Sequence, residues 1–199
     1  SLAGACGPAR FAVEVAFLDL LGRLQPYRGP VSVLVDGPIE ASTAVAKGCA
    51  AVKVKVGTGP LSADDDRVER VRAAIGPSMP IRLDANGAWT VEEAIVAIQR
   101  LSRHHLELIE QPTRGATQLA AVRAASPVPI AADEDVQSLA DLQALIAADA
   151  VDAIVVKPMF LGLQNALAIA NVARSASLPV IVTHALETAI GRRGAVHLQ

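Results

Sequence analysis

The chain has 199 residues, a formal net charge of −2, 52% hydrophobic residues and a mean hydropathy of +0.38, so it can bury one sizeable core and is too apolar to be disordered. Acids and bases are interspersed, and one Trp, one Tyr and three Phe leave little for stacking on bases, which argues against nucleic acid as a partner. Cys6 and Cys49 lack C-x-x-C spacing and read as isolated thiols in a reducing compartment, Arg10, Glu14 and Asp19 interrupt any signal-peptide core, and no run approaches the ~18 apolar residues of a membrane span, so a cytoplasmic product without a membrane partner is expected.

Residues 1–7 are small and Gly-rich and lack an initiator Met, which suggests that the gene product begins earlier. Pro8 opens a helix over 8–25, with Phe11, Val15 and Leu18 at helical spacing and with Pro26 and Gly29 as its stop. Residues 1–30 thus read as a helix leading into the main domain, 31–199. From Val31 a repeat sets in. Apolar strand-like runs begin near 31, 52, 80, 107, 129, 153 and 179. Each of the first six is followed by a helical segment: Glu40 to Gly48, Ala63 to Ile75, Val91 to Leu101, Gln118 to Ala125, Leu139 to Ala148 and Leu163 to Ala176. A further helix is expected from Ile190. The period of about 25 residues is that of one strand, one helix and two short loops. Such alternation implies a parallel sheet covered by helices. No G-x-G-x-x-G turn follows the first strand, as a doubly wound nucleotide binder requires, so a TIM-like (β/α) barrel is expected. Seven strands are visible where a closed barrel has eight, so the barrel is expected to be C-terminally incomplete.

Strict alternation in V-K-V-K-V-G (52–57) places Lys53 and Lys55 on one face and valines on the other. Further runs end in Asp84, Glu110, Asp133 and Lys157, so charges stand at successive strand ends, where barrel chemistry is found. Three carboxylates about one repeat apart repel one another unless a cation lies between them, and an all-oxygen set selects a hard ion such as Mg²⁺, with Mn²⁺ able to substitute. No His or Cys has zinc spacing. Lysines flanking a metal-bound small-molecule carboxylate suit proton abstraction from the adjacent carbon, because burial beside positive charge favours a neutral amine that can act as base. Arg82 shares the face of Asp84, one layer deeper, and either orients Lys55 or balances the carboxylates. His104 and His105 close a helix and read as solvated or dipole-stabilising. Trp89 reads as loop packing.

K-V-K at 53–55, D-A-N at 84–86, E-Q-P at 110–112, A-D-E at 132–134 and V-K-P at 156–158 together resemble the enolase superfamily, muconate-lactonizing subgroup. The resemblance implies a (β/α)7β barrel, Asp84, Glu110 and Asp133 as Mg²⁺ ligands, Lys55 as general base, Lys53 beside the substrate carboxylate, and Lys157 stabilising the intermediate from the opposite side. Within the superfamily, I-R-L-D-A-N, V-V-K-P-M-F-L-G and T-H-A-L-E-T-A-I-G (183–191) are most similar to members that dehydrate a succinyl-hydroxycyclohexadiene carboxylate; racemases, epimerases and cycloisomerases share the barrel chemistry, and a barrel without catalysis is the non-enzymatic alternative. There are departures. Leu163 follows Gly162 where the family has a second Gly, which puts close backbone approach of substrate there in doubt. Thr183 and His184 replace a Ser pair, and His184 either bonds substrate or is a tolerated rim residue. Glu187 matches an acidic position of the family segment and is a candidate substrate contact. The resemblance also implies an N-terminal capping domain and a final strand that these residues do not contain.

Overall fold

The computed structural model describes residues 6–24, 29–185, 187–196 and 198. β-Branched and aliphatic runs form seven parallel strands, β1 (Ser32–Val35), β2 (Ala51–Lys55), β3 (Ile81–Asp84), β4 (Leu108–Glu110), β5 (Ile130–Ala132), β6 (Ala153–Val156) and β7 (Val180–Val182), paired in the order β1-β2-β3-β4-β5-β6-β7. Sequential order without reversal is the order of a barrel wall, and it excludes the doubly wound alternative. The sheet curls: residues of β1 and β7 line one cavity of 630 Å³ although the two strands are not paired. The result is a curled seven-stranded half-barrel with an open seam between β1 and β7.

The helices are α1 (Gly7–Leu20), α2 (Pro38–Ala46), α3 (Leu61–Ile75), α4 (Val91–Leu101), α5 (Ala116–Ala125), α6 (Leu139–Ala147), α7 (Pro158–Leu161), α8 (Leu163–Ser175) and α9 (Ala189–Val196). The strand starts fall within a residue of the sequence expectation. The short α7 was not expected. It follows β6 directly because Pro158 pre-sets the first helical turn, and Gly162 (φ 79) ends it. Helix α1 is shorter than expected: it stops at Leu20, where Gly22 takes φ 65 and Arg23 N–H donates to Leu18 O. A left-handed glycine ends a helix before a more distant proline can; the expected stop at Pro26 lies outside the described residues. The α6 N-cap is Ser138, whose hydroxyl accepts from Asp141 N–H, so capping is not the task of Asp133 or Glu134.

The two faces of each strand differ in kind. Val52, Val54, Ile81, Leu83, Ile109, Ile130, Ile154 and Val156 join the core beneath the helices, while Leu108, Ala131, Ala153 and Val155, with Ile181, form a separate small cluster on the other face. On that inner face the strand ends bear charge, because Glu110 lies two residues beyond Leu108, Asp133 two beyond Ala131 and Lys157 two beyond Val155. No helix among the described residues is long and apolar enough to cross a membrane. Cys6 is exposed and Cys49 partly buried, and both are free thiols.

His104 corrects the sequence reading. It is buried rather than solvated, and its Nε2 bonds Asp65 Oδ1 at 2.7 Å. Asp65, on α3, is fully buried and also accepts from Arg100 Nε at 2.6 Å and Arg103 Nη2 at 2.9 Å. Burial acts to raise the Asp65 pKa, but the hydrogen bonds from His104 and Arg100 and the charges of Arg103 and Arg100 outweigh it and hold the pKa below the ordinary aspartate value. A depressed carboxyl pKa stabilises the fold above the pKa of the unfolded chain, and the benefit disappears as pH falls through the folded value. Asp65→Asn is therefore expected to cost about 2–4 kcal/mol near pH 7. In urea unfolding followed by circular dichroism, the gap between variant and wild type narrows as pH is lowered from 7 toward 3; a gap independent of pH contradicts the assignment.

Candidate active site

Parallel register fixes which charges meet. Lys55 lies opposite Asp84, Asp84 opposite Glu110, and Lys53 opposite Arg82. Asp84, Glu110 and Asp133 are 3%, 2% and 4% exposed, so none is a solvated surface acid. Lys53 Nζ stands 2.9 Å from Asp84 Oδ2 and donates to Glu110 Oε1 at 2.7 Å. Lys157 Nζ donates to Asp133 Oδ2. Of the six charges expected on β2 and at the ends of β3 to β6, five thus sort into two groups of buried acids, one around Lys53 and one around Lys157.

Lys55 is the exception, with an exposed side chain at the end of β2. Its backbone is braced instead. Lys55 O accepts from Arg67, which also pairs with Asp64, and the carboxylate of Asp64 accepts from Gly57 N–H at 2.7 Å. Gly57 has φ 82, and a Cβ there would lie 3.0 Å from Ala88 Cβ and 3.1 Å from the Trp89 indole nitrogen. Trp89 accordingly packs the loop, and the final Gly of V-K-V-K-V-G is required for that contact.

Glu110 shows how strongly acidic the site is. Its burial raises its pKa; Lys53 opposes this, and Asp84 and Asp133 add to it, so that it is pushed up to about 8. For Lys53, burial acts to lower the pKa, but the charges of Glu110 and Asp84 and their hydrogen bonds prevail and raise it. Further acids crowd the same rim. Glu134 accepts from Asn86 Nδ2 at 2.9 Å through Oε1, and its Oε2 is buried without a hydrogen-bond partner among the described residues. Among the described residues no three His, Cys, Asp or Glu side chains are gathered about one point, since Asp133 turns to Lys157 while Asp84 and Glu110 share Lys53. The donor set nevertheless fits a hard divalent cation. It is all oxygen, buried, placed at the ends of neighbouring strands, and short of positive charge, as the raised Glu110 pKa and the orphaned Glu134 oxygen indicate.

The other expected residues lie apart from this cluster. Arg82 neither orients Lys55 nor balances the carboxylates: its guanidinium forks onto Glu107, at 2.7 Å from Nε and 3.1 Å from Nη2. Glu107 was the missed signal, an acid one residue before β4 and beside Arg82 across the register. His184, exposed after β7, has Nδ1 3.5 Å from Glu187 Oε2, and the Glu187 carboxylate is otherwise buried without hydrogen bonds among the described residues. Leu186, within the same segment, lies outside the described residues. Around Leu163, where close backbone approach of substrate was in doubt, the backbone is occupied by groups of α1. Its N–H donates to Glu14 Oε2 of α1 at 2.6 Å, and Gly162 is covered by the Arg10 side chain. An acid from α1 thereby serves the N-terminus of α8. The 630 Å³ cavity lies away from the carboxylates, along the seam, among Ser32, Ala51, Arg82, Ile181 and Arg192.

Comparison with known proteins agrees with the fold. Residues 39–199 match the sequence model of the enolase C-terminal domain-like family. The o-succinylbenzoate synthase of Thermobifida fusca is 41% identical over 174 residues, 85% of this chain and 54% of that protein. The hydrophobic dipeptide epimerase of Enterococcus faecalis is 35% identical over 211 residues, 96% of this chain and 59% of that protein. A crystal structure of the dipeptide epimerase from Enterococcus faecalis with Mg and the dipeptide L-Leu-L-Tyr superposes with a TM-score of 0.87 at 33% identity, covering 97% of this chain and 60% of that one. The chain therefore spans somewhat more than half the length of these relatives.

The electrostatics give a direct test. Replacing Lys53 by Met removes the group that restrains the Glu110 pKa, so the variant's Glu110 pKa rises above the wild-type value of about 8. A carboxyl whose folded pKa is raised loses stability as pH climbs from the unfolded to the folded value. Wild type stops losing it near pH 8, whereas Lys53→Met continues. In urea unfolding with chelator present, the stability cost of Lys53→Met is expected to be larger at pH 9 than at pH 6; an equal or smaller cost at pH 9 would sink this account of the site.

Proposed function

The chain belongs to the enolase C-terminal domain-like family, and we propose that the protein carrying it is a Mg²⁺-dependent enzyme that removes the proton next to a substrate carboxylate, acting as an o-succinylbenzoate synthase of menaquinone biosynthesis. The observation that carries this reading is the inner face at the ends of β2 to β6, where three buried carboxylates meet Lys53 and Lys157 with Lys55 exposed beside them.

In this reading Asp84, Glu110 and Asp133 hold Mg²⁺, which Mn²⁺ can replace. When bound, the ion supplies positive charge to the substrate carboxylate and so stabilises the negative charge that develops as the α-proton leaves. Lys55 is the general base. Its ammonium position is accessible, and the Arg67 contact to its backbone carbonyl fixes where the side chain begins. Lys157 faces the developing charge from the β6 side, and Lys53 sits between the metal-binding carboxylates and the substrate carboxylate. The proton taken by Lys55 passes to the departing hydroxyl, so that a C–H and a C–O bond break, a C=C bond forms and water leaves. Aromatisation of the ring drives the step, and the protein's task is positioning and charge stabilisation. His184 and Glu187 are candidate substrate contacts at the end of β7.

A second reading is favoured by the likeness to the Enterococcus faecalis dipeptide epimerase. There the same proton abstraction is followed by return of a proton to the opposite face, a role for Lys157. The two readings separate in one assay. Full-length protein with Mg²⁺ is given the succinyl-hydroxycyclohexadiene carboxylate, and loss of diene absorbance is followed. Turnover is expected, with a loss of about 10²–10⁴-fold in Lys55→Ala. No turnover, but exchange of the α-proton of dipeptides with solvent deuterium, assigns the epimerase; neither reaction, with no Mg²⁺ binding, overturns the enzyme reading altogether.

A further inference from the structure

Gln111 lies between Glu110 and Pro112, is fully buried and has φ 43, a left-handed conformation that a non-glycine residue keeps only where its surroundings hold it. The surroundings do so from both sides. Gln111 N–H donates to Ala131 O at 2.7 Å, and Gln111 O accepts from Gly87 N–H at 2.7 Å, so its backbone joins the loops after β3 and β4 to β5. Its side-chain amide is filled as well. Oε1 accepts from Asp133 N–H at 2.8 Å and Asp135 N–H at 3.3 Å, while Nε2 donates to Thr113 O at 2.8 Å and Asp135 Oδ2 at 2.9 Å. Asp135 Oδ2 also accepts from Gly115 N–H at 2.6 Å, which closes the connection between the β4–α5 and β5–α6 loops.

Only one orientation of the amide satisfies these partners, because the reverse would aim NH2 at two N–H donors and oxygen at a carbonyl and a carboxylate. The site therefore demands one strong acceptor and two donors at a fixed reach, which among side chains of this volume is glutamine alone. What the acceptor fixes is the start of Asp133, the acid that turns to Lys157. We infer that Gln111 is a positioning residue for cation binding: its side-chain oxygen holds the Asp133 backbone and so fixes where the Asp133 carboxylate starts. This rests on the proposed reading that Asp133 is a metal ligand. The physical reason is that a carboxylate on an unpaired loop end has freedom to lose on binding a cation, whereas one whose backbone N–H is already held has lost it on folding.

The test is Mn²⁺ affinity, measured by electron paramagnetic resonance on full-length protein without substrate, for wild type, Gln111→Met, Gln111→Asn and Asp65→Asn. Met keeps the volume and removes the amide; Asn keeps the amide and is one methylene too short to reach Asp133 and Asp135 together. Both Gln111 variants are expected to bind Mn²⁺ about 10–100-fold more weakly than wild type, whereas Asp65→Asn, destabilised beneath the helices, retains wild-type affinity. Should Gln111→Met not fold, Gln111→Asn decides alone. Wild-type affinity in a folded Gln111 variant overturns the inference, as does an equal loss in Asp65→Asn. Absence of Mn²⁺ binding in wild type overturns the reading of Asp133 as a ligand, a failure distinct from that of Gln111.

Discussion

Everything at the barrel rim follows from the difficulty of burying like charges together. Asp84, Glu110 and Asp133 are each less than 5% exposed and stand at the ends of neighbouring strands. Left alone, such a set either protonates or disrupts the fold. Lys53 compensates two of the acids and Lys157 the third, yet Glu110 still has its pKa pushed up to about 8. Burial is the larger cause of that rise, and the Lys53 ammonium offsets it only in part. A buried, all-oxygen set of this kind is the electrostatic setting in which a hard cation binds.

The sheet makes this crowding affordable to the fold by separating it from the core. Alternation sends Val52, Val54, Ile109 and Ile154 under the helices, where they join the main cluster, and leaves the opposite face to small or charged side chains such as Ala131, Ala153 and the rim lysines. The curled wall then holds the acids close together through backbone hydrogen bonds rather than side-chain packing. The buried Asp65 network shows the other way to keep an acid inside, with Arg100, Arg103 and His104 surrounding one carboxylate. There the donors exceed the single charge, and the pKa is lowered instead of raised. Two similarly buried carboxyls are thus shifted in opposite directions: burial prevails at Glu110 and the surrounding donors prevail at Asp65.

Local periodicity was sufficient for the strands, since each is a short apolar run whose period is visible within a few residues. The helix Val91–Leu101 was readable to the residue because Thr90 and Glu93 form a capping box. What the sequence hid were contacts between elements far apart in the chain. Arg82 looked like part of the site because it shares a strand face with Asp84, but the fork onto Glu107 depends on register, which no local pattern discloses. His104 looked exposed beside His105, and its partner Asp65 belongs to another helix. Glu14, unremarkable on α1, meets the N-terminus of α8 far along the chain. Gln111 was visible in E-Q-P, yet nothing local marks its amide as the connection between two loops.

The same reasoning separates what the rim determines from what it leaves open. In the proposed reading, proton abstraction beside a carboxylate needs a base, a countercharge and a held carboxylate, and Lys55, Lys157 and the three acids would supply those parts whichever product follows. The fate of the charge is set by other groups, either a hydroxyl placed to leave or a second proton placed to return. An o-succinylbenzoate synthase and a dipeptide epimerase both align with more than four-fifths of this chain while the chain spans only about half of each. The likeness therefore does not by itself discriminate between the two proposed outcomes. At the end of β7, among the described residues, His184 is exposed and the Glu187 carboxylate is buried with hydrogen-bonding capacity to spare. In the proposed reading the strand ends carry the step, and its outcome depends on what stands across from them.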